Sequence, residues 1–432
     1  MKWLLSVCFL ILSLNCFAKL TIEITQGIDN PTPIAVSPFT WFGKGIPPEN
    51  VSDIVSSDLS RTGMFKVMDK PEDMISTPDI PEEVYFRNWR TLKQDYLLIG
   101  RMEPIKGQMN RIELKYSLYD IYRQKVILRE SLIASTAGLR DLAHLVSDKV
   151  FEKLTNMRGA FSTKILYVSS SFDSGNERFR LWVADFDGAR PKVLVNSKEP
   201  IVSPSWSPDG KKVTYVSFES RRPAIYIQSL ATGQREKMTG FKGLNGSPSW
   251  SPDGKKMAMV LSKDGSPSIY VMDIATKQLK MVGSHRFAID TEPQWMPDGE
   301  HILFTSNRGG GPQLYKVNVQ SNKVSRVTYD GKYNARGRPV PDGSGIVMVH
   351  QSRGNFYIAR QDFSTGRLTV LSDTKLDESP SIAANGSMVM YATKRNNQGV
   401  LAAVSIDGRI RYILPSKGED VREPAWSPFL TN

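Results

Sequence analysis

The decapeptide SPSWSPDGKK occurs twice in this chain, at residues 203–212 and again at residues 247–256. Degenerate copies of the same pattern follow it toward the carboxyl end. The tryptophan position of the pattern falls at residues 206, 250, 295, 339, 382 and 426, so that the spacings are 44, 45, 44, 43 and 44. A period this steady predicts a repeat architecture, and its length matches one four-stranded propeller blade.

Each repeat contains short alternating strands that are separated by turn residues. Residues 212–218 read KVTYVSF, and residues 224–228 read AIYIQ. This alternation has the period of a β-strand, and no helical pattern lies between the two runs. In Pro208-Asp209-Gly210, proline fixes φ, aspartate suits the third turn position and glycine accepts a left-handed backbone. The tripeptide therefore predicts a hairpin, and the preceding Trp206 predicts a wedge between neighbouring blades.

The two ends of the repeat array predict how the ring closes. Three strand patterns, at residues 164–170, 180–185 and 191–195, precede the first copy of the motif, and no strand follows the last copy. The carboxyl-terminal strand at residues 423–427 is expected to join those three strands. The result is a six-bladed β-propeller over residues 163–432, whose closure removes exposed sheet edges.

The amino-terminal third of the chain has a different pattern, which predicts a small α/β domain over residues 19–157. We expect a helix that starts near Pro47 and ends at Gly63, and a closing helix over residues 138–156. Strands are expected at residues 19–25, 33–39, 96–102, 111–122 and 125–134. The expected fold class is thus an α+β two-domain protein, a small α/β domain followed by a six-bladed propeller.

Residues 1–18 have the composition of a secretory signal peptide, with Lys2, an apolar run and a small-x-small ending at Ala18. Cys8 and Cys16, the two cysteines of the chain, both lie in this segment. Its removal would leave a mature protein without thiols, and would lower the net charge from +12 by one, since Lys2 is lost. We expect a secreted protein with no membrane span. The basic residues are scattered and lack interleaved aromatics, which argues against nucleic-acid binding.

No catalytic constellation is visible in the sequence. There is no G-x-S-x-G elbow, and the four histidines form no close ligand pair. These histidines are His144, His285, His301 and His350. Four of the six repeats carry an aspartate in the turn (Asp209, Asp253, Asp298 and Asp342) that could be a calcium ligand, but its place in a hairpin tip favours a turn-forming role. We therefore expect no enzyme, no cofactor and no metal site.

Several stretches of the chain resemble the TolB family. They are PIAVSPF at residues 33–39, VFEKLTNMRGAFSTKILYV at residues 150–168, the six W-S-P-D-G-type repeats and EPAWSPFL at residues 423–430. The resemblance implies a non-catalytic, monomeric periplasmic protein of the Tol-Pal envelope system. Family members bind the peptidoglycan-associated lipoprotein Pal at one mouth of the propeller and TolA through the mature amino terminus. The implied role is to keep the outer membrane attached and constricted during division, and other outer-membrane or peptidoglycan-linked partners stay open.

The same resemblance, together with the position of loops before the motif strands, gives candidate partner-binding residues. The candidates for contact with Pal are Leu244, Asn245, Ser247, Thr291 and Glu292. The candidates for contact with TolA lie in residues 19–30, and are Lys19, Leu20, Thr21, Ile22, Glu23, Ile24, Gly27 and Asp29. An alternating segment at a chain end is suited to adding as a strand to a partner. The alternative hypothesis is a propeller that binds a small ligand, a glycan or a metal in its central channel.

Overall fold

A computed structural model describes residues 22–24, 30–73, 75, 78, 80, 83–173, 175–414 and 418–430. The predicted signal peptide, residues 1–18, lies outside these residues. None of the described helices combines the length and apolar character that crossing a membrane requires.

The amino-terminal domain is a mixed sheet that two long helices cover on one side. Its elements are β2 (Thr32–Val36), β3 (Thr40–Trp41), α1 (Val51–Arg61), β4 (Phe65–Val67), α2 (Phe86–Thr91), β5 (Tyr96–Pro104), β6 (Arg111–Asp120), β7 (Lys125–Ser135) and α3 (Leu139–Thr155), and they follow the short strand β1 (Ile22–Ile24). The sheet order is β4-β2-β5-β6-β7, with β3 also paired to β5. Strands β2, β3 and β4 run parallel to their partners, whereas β5, β6 and β7 are antiparallel to one another.

Local sequence explains the two long helices. The Asn50 side chain accepts a hydrogen bond from Asp53 N and caps α1. The apolar face of α1 packs against that of α3, and both enter one core cluster with the sheet. Helix α3 ends at Thr155, and the cap residue that follows, Asn156, has a left-handed φ of 58°. Both helices match the prediction, whereas α2 was not predicted.

The propeller is a ring of six blades, and each blade takes four strands from the propeller sequence. These four strands follow one another along the chain in every blade except the sixth. Blade 1 has β11 (Ile201–Trp206), β12 (Lys212–Ser217), β13 (Ala224–Ser229) and β14 (Arg235–Lys237); blade 2 has β15 (Asn245–Trp250), β16 (Lys256–Leu261), β17 (Ser268–Asp273) and β18 (Leu279–Val282); blade 3 has β19 (Asp290–Trp295), β20 (His301–Ser306), β21 (Gln313–Asn318) and β22 (Val324–Arg326). Blade 4 has β23 (Asn334–Pro339), β24 (Gly345–Ser352), β25 (Asn355–Asp362) and β26 (Leu368–Val370), and blade 5 has β27 (Glu378–Ile382), β28 (Met388–Arg395), β29 (Gln398–Ser405) and β30 (Ile410–Ile413).

Blade 6 is assembled from both ends of the propeller sequence, as predicted. Its strands are β8 (Lys164–Asp173), β9 (Asn176–Asp185), β10 (Lys192–Ser197) and the carboxyl-terminal β31 (Asp420–Trp426), in the order β10-β9-β8-β31. In the pairing of β31 with β8, Val421 faces Ser169 and Trp426 faces Ile165. The last strand therefore closes the ring by hydrogen bonding to the first strand of the propeller.

The repeated Pro-Asp-Gly is a hairpin turn, as predicted. Gly210 has a φ of +67°, a conformation that other residues rarely adopt. The Asp209 carboxylate accepts hydrogen bonds from Ser207 Oγ at 2.6 Å and from Lys211 N at 3.0 Å. Asp253 repeats both contacts in blade 2. The carboxylates of these aspartates are thus engaged in forming the turn.

The motif tryptophans lie between neighbouring blades, also as predicted. Trp206 packs in one cluster with Leu166 of blade 6 and Tyr215 of blade 1, and its indole N–H donates to Ala425 O at 2.9 Å. Trp250 takes the corresponding place between blades 1 and 2. Each motif strand therefore joins its own blade to the preceding one.

One hydrophobic cluster joins the two domains. It contains Phe151 of α3, Phe161 of the connecting segment, Phe186 of blade 6 and Trp426 of the closing strand. The Asp148 carboxylate anchors the connecting segment by accepting hydrogen bonds from the backbone N–H groups of residues 161 and 162, at 2.7 and 3.1 Å. The motif strand of each blade lines the axial channel, and we call these six strands the inner strands; they are β11, β15, β19, β23, β27 and β31. The contacts between the domains lie at the end of the channel where the inner strands end. The other end, where the inner strands begin, is the open mouth.

Candidate partner-binding mouth and channel

A backbone bulge recurs near the start of the inner strand of all six blades. The residue at the bulge has a left-handed backbone in each case: Ser203 (φ 54°), Ser247 (48°), Glu292 (56°), Arg336 (54°), Ser379 (54°) and Glu423 (50°). The strand register shifts at each of these positions. Proline follows the bulge in five blades, and glycine follows it in blade 4. All six residues line the axial channel, and we call them the bulge ring. A bulge changes the direction of the side chain at its position, which fits this placement.

Charged members of the bulge ring connect neighbouring blades. The Glu292 carboxylate accepts hydrogen bonds from Arg336 N at 3.0 Å and from Thr305 Oγ1 at 2.8 Å, and forms an ion pair with Arg336 Nε at 3.0 Å. Across the closure, Glu423 accepts a hydrogen bond from Ser203 N. Burial raises the pKa of Glu423, because the channel wall disfavours its charged form. The channel wall next to the ring encloses a cavity of about 360 Å³.

The loops that lead into the inner strands expose large apolar side chains at the open mouth. Six of them belong to blades 2 to 5: Phe241 (37% exposed), Leu244 (39%), Phe287 (80%), Ile289 (49%), Tyr329 (69%) and Leu376 (52%). We call these six residues the apolar rim. Clusters of exposed apolar side chains are typical of surfaces that bind other proteins. The apolar rim and the bulge ring together form the candidate functional site.

The residues predicted for contact with Pal fall into three groups in this site. Leu244 belongs to the apolar rim, and Thr291 lies partly exposed at the start of β19. Ser247 and Glu292 belong to the bulge ring, deeper in the channel. Asn245 is fully buried, and its side chain bonds the backbone of Phe241 at 2.8 and 3.0 Å. Asn245 therefore shapes the loop rather than presenting its own amide to a partner.

Sequence reasoning missed several residues of the site. Phe287, Tyr329 and Leu376 precede their motifs by varying distances, so the repeat pattern gave no alignment for them. Arg336 and Arg338 did leave a signal, because the fourth motif reads RGRP where the first two copies read SPSW. The fourth copy departs from the repeat because two arginines of this blade line the channel.

The predicted TolA-binding segment is described in part. Backbone pairing places β1 antiparallel to β30, with residue 22 opposite Tyr412 and residue 24 opposite Ile410. Strand β1 thereby becomes a fifth strand at the outer edge of blade 5. Of the predicted contact residues, Ile22, Glu23 and Ile24 form this strand, whereas Lys19, Leu20, Thr21, Gly27 and Asp29 lie outside the described residues.

The structure brings His144 close to Asp185 and Asp187 in a geometry that a metal ion could share. Both carboxylates already have cationic partners, however. Asp185 forms ion pairs with Lys164 at 2.9 Å and with Arg190 at 2.7 Å, and Arg140 lies 2.6 Å from Asp187. His144 Nδ1 lies 2.7 Å from the Asp58 carboxylate. We therefore interpret this buried cluster as an ionic contact between the two domains.

Comparison with known proteins agrees with this architecture. A family model for the TolB beta propeller domain matches residues 151–430, and a model for the TolB amino-terminal domain matches residues 20–127. The Tol-Pal system protein TolB of Pseudomonas aeruginosa is 51% identical over 410 residues, 94% of each chain. The corresponding protein of Pseudomonas putida is 46% identical over 430 residues, 98% of each chain. The crystal structure of TolB from Acinetobacter baumannii is 40% identical with a TM-score of 0.85, and covers 95% of this chain and 100% of that one. The chain therefore belongs to the TolB family.

Proposed function

We propose that this protein is a non-catalytic, periplasmic interaction component of the Tol-Pal system that binds Pal at the open mouth of the propeller and TolA through residues 19–30. In this role it helps to keep the outer membrane attached and constricted at division. The relatives named above are Tol-Pal system proteins, which supports the assignment. The observation that carries the proposal is the apolar rim around the mouth.

The shape and chemistry of the mouth suit a protein partner. Phe287 and Tyr329 lie in loops and expose 80% and 69% of their surface. Protein interfaces place aromatic side chains at their core and polar groups around it. Below the rim, Glu292 and Arg336 offer polar and charged groups within the channel. A partner that covers the rim and inserts a polar loop into the channel would use both features.

Strand β1 supports the proposal for TolA. Three residues pair it with β30, at the outer edge of blade 5. A short strand at a sheet edge near a chain end can exchange that edge for the edge of another sheet. TolA is therefore proposed to receive this segment as an added strand.

The Pal proposal is tested by measuring the affinity of purified Pal for variants of the mature protein. The double variant Phe287→Ser/Leu376→Ser removes two side chains of the apolar rim. It is expected to lower the affinity for Pal at least tenfold, because buried aromatic anchors carry much of the binding energy of an interface. Met109→Ser is the matched control, since Met109 is 91% exposed in the amino-terminal domain. Equal Pal affinity in the double variant and the control would show that the partner binds elsewhere.

The TolA proposal is tested with a mature protein that lacks residues 19–30. Co-purification from a periplasmic extract is expected to lose TolA while it retains Pal, because the mouth stays intact. Recovery of TolA at the wild-type level would contradict the assignment of this segment. Recovery of the wild-type protein in a cytoplasmic fraction rather than in that extract would contradict the proposed location.

A further inference from the structure

We propose that the axial channel contains a binding site for a small, singly charged carboxylate, with the guanidinium of Arg338 as its counter-ion. Arg338 lies on β23, two residues after the bulge, and lines the channel cavity. The proposal concerns the interior of the channel, and does not depend on whether Pal binds at the rim.

Arg338 is a cation without a matched partner. No carboxylate among the described residues forms an ion pair with it, and its one hydrogen bond runs to Gly337 O at the long distance of 3.4 Å. Arg336, two residues earlier, has Glu292 at 3.0 Å. Burial in the channel lowers the pKa of Arg338 to about 10, so that the side chain remains charged at neutral pH. The side chain is only partly exposed, and a partly desolvated charge without an ion-pair partner is costly, so a bound anion would reduce that cost.

The charges of Glu292 and Glu423 act on Arg338 across the channel and oppose the effect of burial on its pKa, but neither carboxylate forms an ion pair with it among the described residues. Glu292 is engaged by Arg336 and Thr305, and Glu423 accepts its hydrogen bond from Ser203 N. Glu292 contributes negative charge to the channel, and Glu423 does so to the extent that it is ionised, since burial raises its pKa. A dianion such as phosphate would lose more hydration on entering the channel than a monoanion does, and would meet more repulsion from these carboxylates. This balance favours a monocarboxylate over phosphate.

The cavity also offers space and further hydrogen-bond donors. Its volume of about 360 Å³ lies within the range of small-molecule sites. The hydroxyl groups of Ser205 and Ser247 line it, and neither has a hydrogen-bond partner among the described residues. A planar guanidinium binds a carboxylate through two parallel hydrogen bonds, and hydroxyl groups can complete the shell of the anion.

The carboxylate has two potential sources, a free small molecule or a carboxylate group that a partner inserts through the mouth. The chemistry at Arg338 is the same in both cases. The two sources predict different effects of Arg338→Gln on Pal binding. If the affinity for Pal falls tenfold or more, and acetate competes with Pal, the carboxylate is a group that the partner inserts. Unchanged Pal affinity identifies a free molecule.

The primary test is titration of the purified mature protein with sodium acetate, with sodium chloride at equal ionic strength as the reference. Isothermal titration calorimetry is expected to give a dissociation constant on the order of millimolar for so small a ligand. Arg338→Gln is expected to lower the affinity for acetate at least tenfold. Arg338→Lys is expected to lower it less, because lysine keeps the charge but loses the two-point contact. Arg353→Gln, at an exposed hairpin, is the matched control and is expected to bind as the wild type does.

A second readout covers the case in which a variant is poorly folded. Acetate is expected to raise the melting temperature of the wild type and of Arg353→Gln, but not that of Arg338→Gln. Without acetate, Arg338→Gln is expected to melt at or above the wild-type temperature, since the unpaired charge is gone. Equal acetate binding by the wild type and Arg338→Gln would overturn the proposal, and so would equal stabilisation of the wild type by phosphate and acetate.

Discussion

At the scale of single residues, one hydroxyl group decides whether a wedge tryptophan is satisfied. The indole N–H of Trp250 donates to Thr214 Oγ1 at 3.2 Å. Trp295 takes the same place one blade later, but its buried Nε1 has no hydrogen-bond partner within the described part of the chain. The register explains the difference, because Thr214 pairs with Ser205 in blade 1 and Ala258 pairs with Ser249 in blade 2. Alanine thus stands where blade 1 has threonine.

Replacing Thr214 by valine is expected to leave the indole N–H of Trp250 without its hydrogen-bond acceptor, as the indole N–H of Trp295 already is among the described residues. The shape of the side chain is kept, and one buried donor loses its acceptor. We expect the free energy of unfolding to fall by about 1–3 kcal/mol, measured by chemical denaturation. Thr369→Val is the control, since Thr369 lies on the outermost strand of blade 4 and its hydroxyl makes no hydrogen bond among the described residues. Equal losses in the two variants would mean that the indole hydrogen bond contributes nothing.

Residue-scale prediction from the sequence succeeded where a residue type demands a backbone conformation. Pro208-Asp209-Gly210 gave the hairpin because glycine at a positive φ is a recognisable requirement. The preceding Ser203-Pro204 gave no comparable signal. A serine rarely has a φ of 54°, and its side chain has no feature that predicts this conformation. The bulge ring therefore became visible only when the six strands were seen together.

At the scale of secondary-structure elements, α1, α3 and the β9–β10 hairpin meet around His144. Its ring is buried, with Nδ1 2.7 Å from the Asp58 carboxylate, whereas Nε2 has no hydrogen-bond partner among the residues that the structure describes. Burial lowers the pKa of His144, but Asp58, with a smaller contribution from Asp187, outweighs that effect and leaves the pKa raised. The imidazolium of His144 therefore persists to a higher pH in the folded protein than in the unfolded chain.

The raised pKa of His144 predicts a particular pH dependence of stability. The imidazolium contributes stability that is fully present below the unfolded-state pKa of about 6.5, and that is lost as the pH rises through the folded-state pKa. Unfolding free energies measured between pH 5 and pH 9 are expected to show the wild type losing stability relative to His144→Gln as the pH rises. His285→Gln, an exposed control, is expected to follow the wild type. A constant difference between the wild type and His144→Gln would exclude a titrating role.

Elements with strong periodicity were predicted well, and those that depend on distant contacts were not. Helices α1 and α3 begin and end within about one turn of the predicted residues, because their apolar faces repeat over three turns or more. Helix α2 has six residues and no side-chain cap, and so left no pattern. The pairing of β1 with β30 joins segments almost 390 residues apart, for which local sequence gives no signal. For the same reason, the sequence did not show which loops at the mouth expose aromatic residues.

At the scale of the whole molecule, ring closure and domain contact depend on the same strand. Trp426 ends β31, and its indole N–H donates to Thr163 Oγ1 at 2.7 Å, beside the connection between the domains. Its ring stacks on Phe186 at a centroid distance of 6.5 Å. The hydrophobic cluster around it contains residues of both domains and of blades 5 and 6. We therefore expect the two domains to unfold together.

Trp426→Ala tests this coupling. Loss of a buried tryptophan is expected to cost about 3–5 kcal/mol and to lower the melting temperature of both domains in one calorimetric transition. Trp182→Ala is the matched control, since Trp182 stacks on Tyr167 within blade 6 and lies outside the cluster that joins the domains. Two separated transitions in the wild type, or a shift of the propeller alone in Trp426→Ala, would contradict a shared core.

Hydrogen–deuterium exchange of the full mature protein, with and without saturating Pal, tests the central functional claim most directly. Pal is expected to slow exchange in the loops before the inner strands of blades 2 to 5, at residues 239–244, 283–292, 328–333 and 371–377. Exchange at residues 105–110 of the amino-terminal domain, which serve as the internal reference, is expected to stay unchanged. Slowed exchange at that reference with no change in the four loops would place the partner on the other side of the molecule, and would contradict recognition at the open mouth.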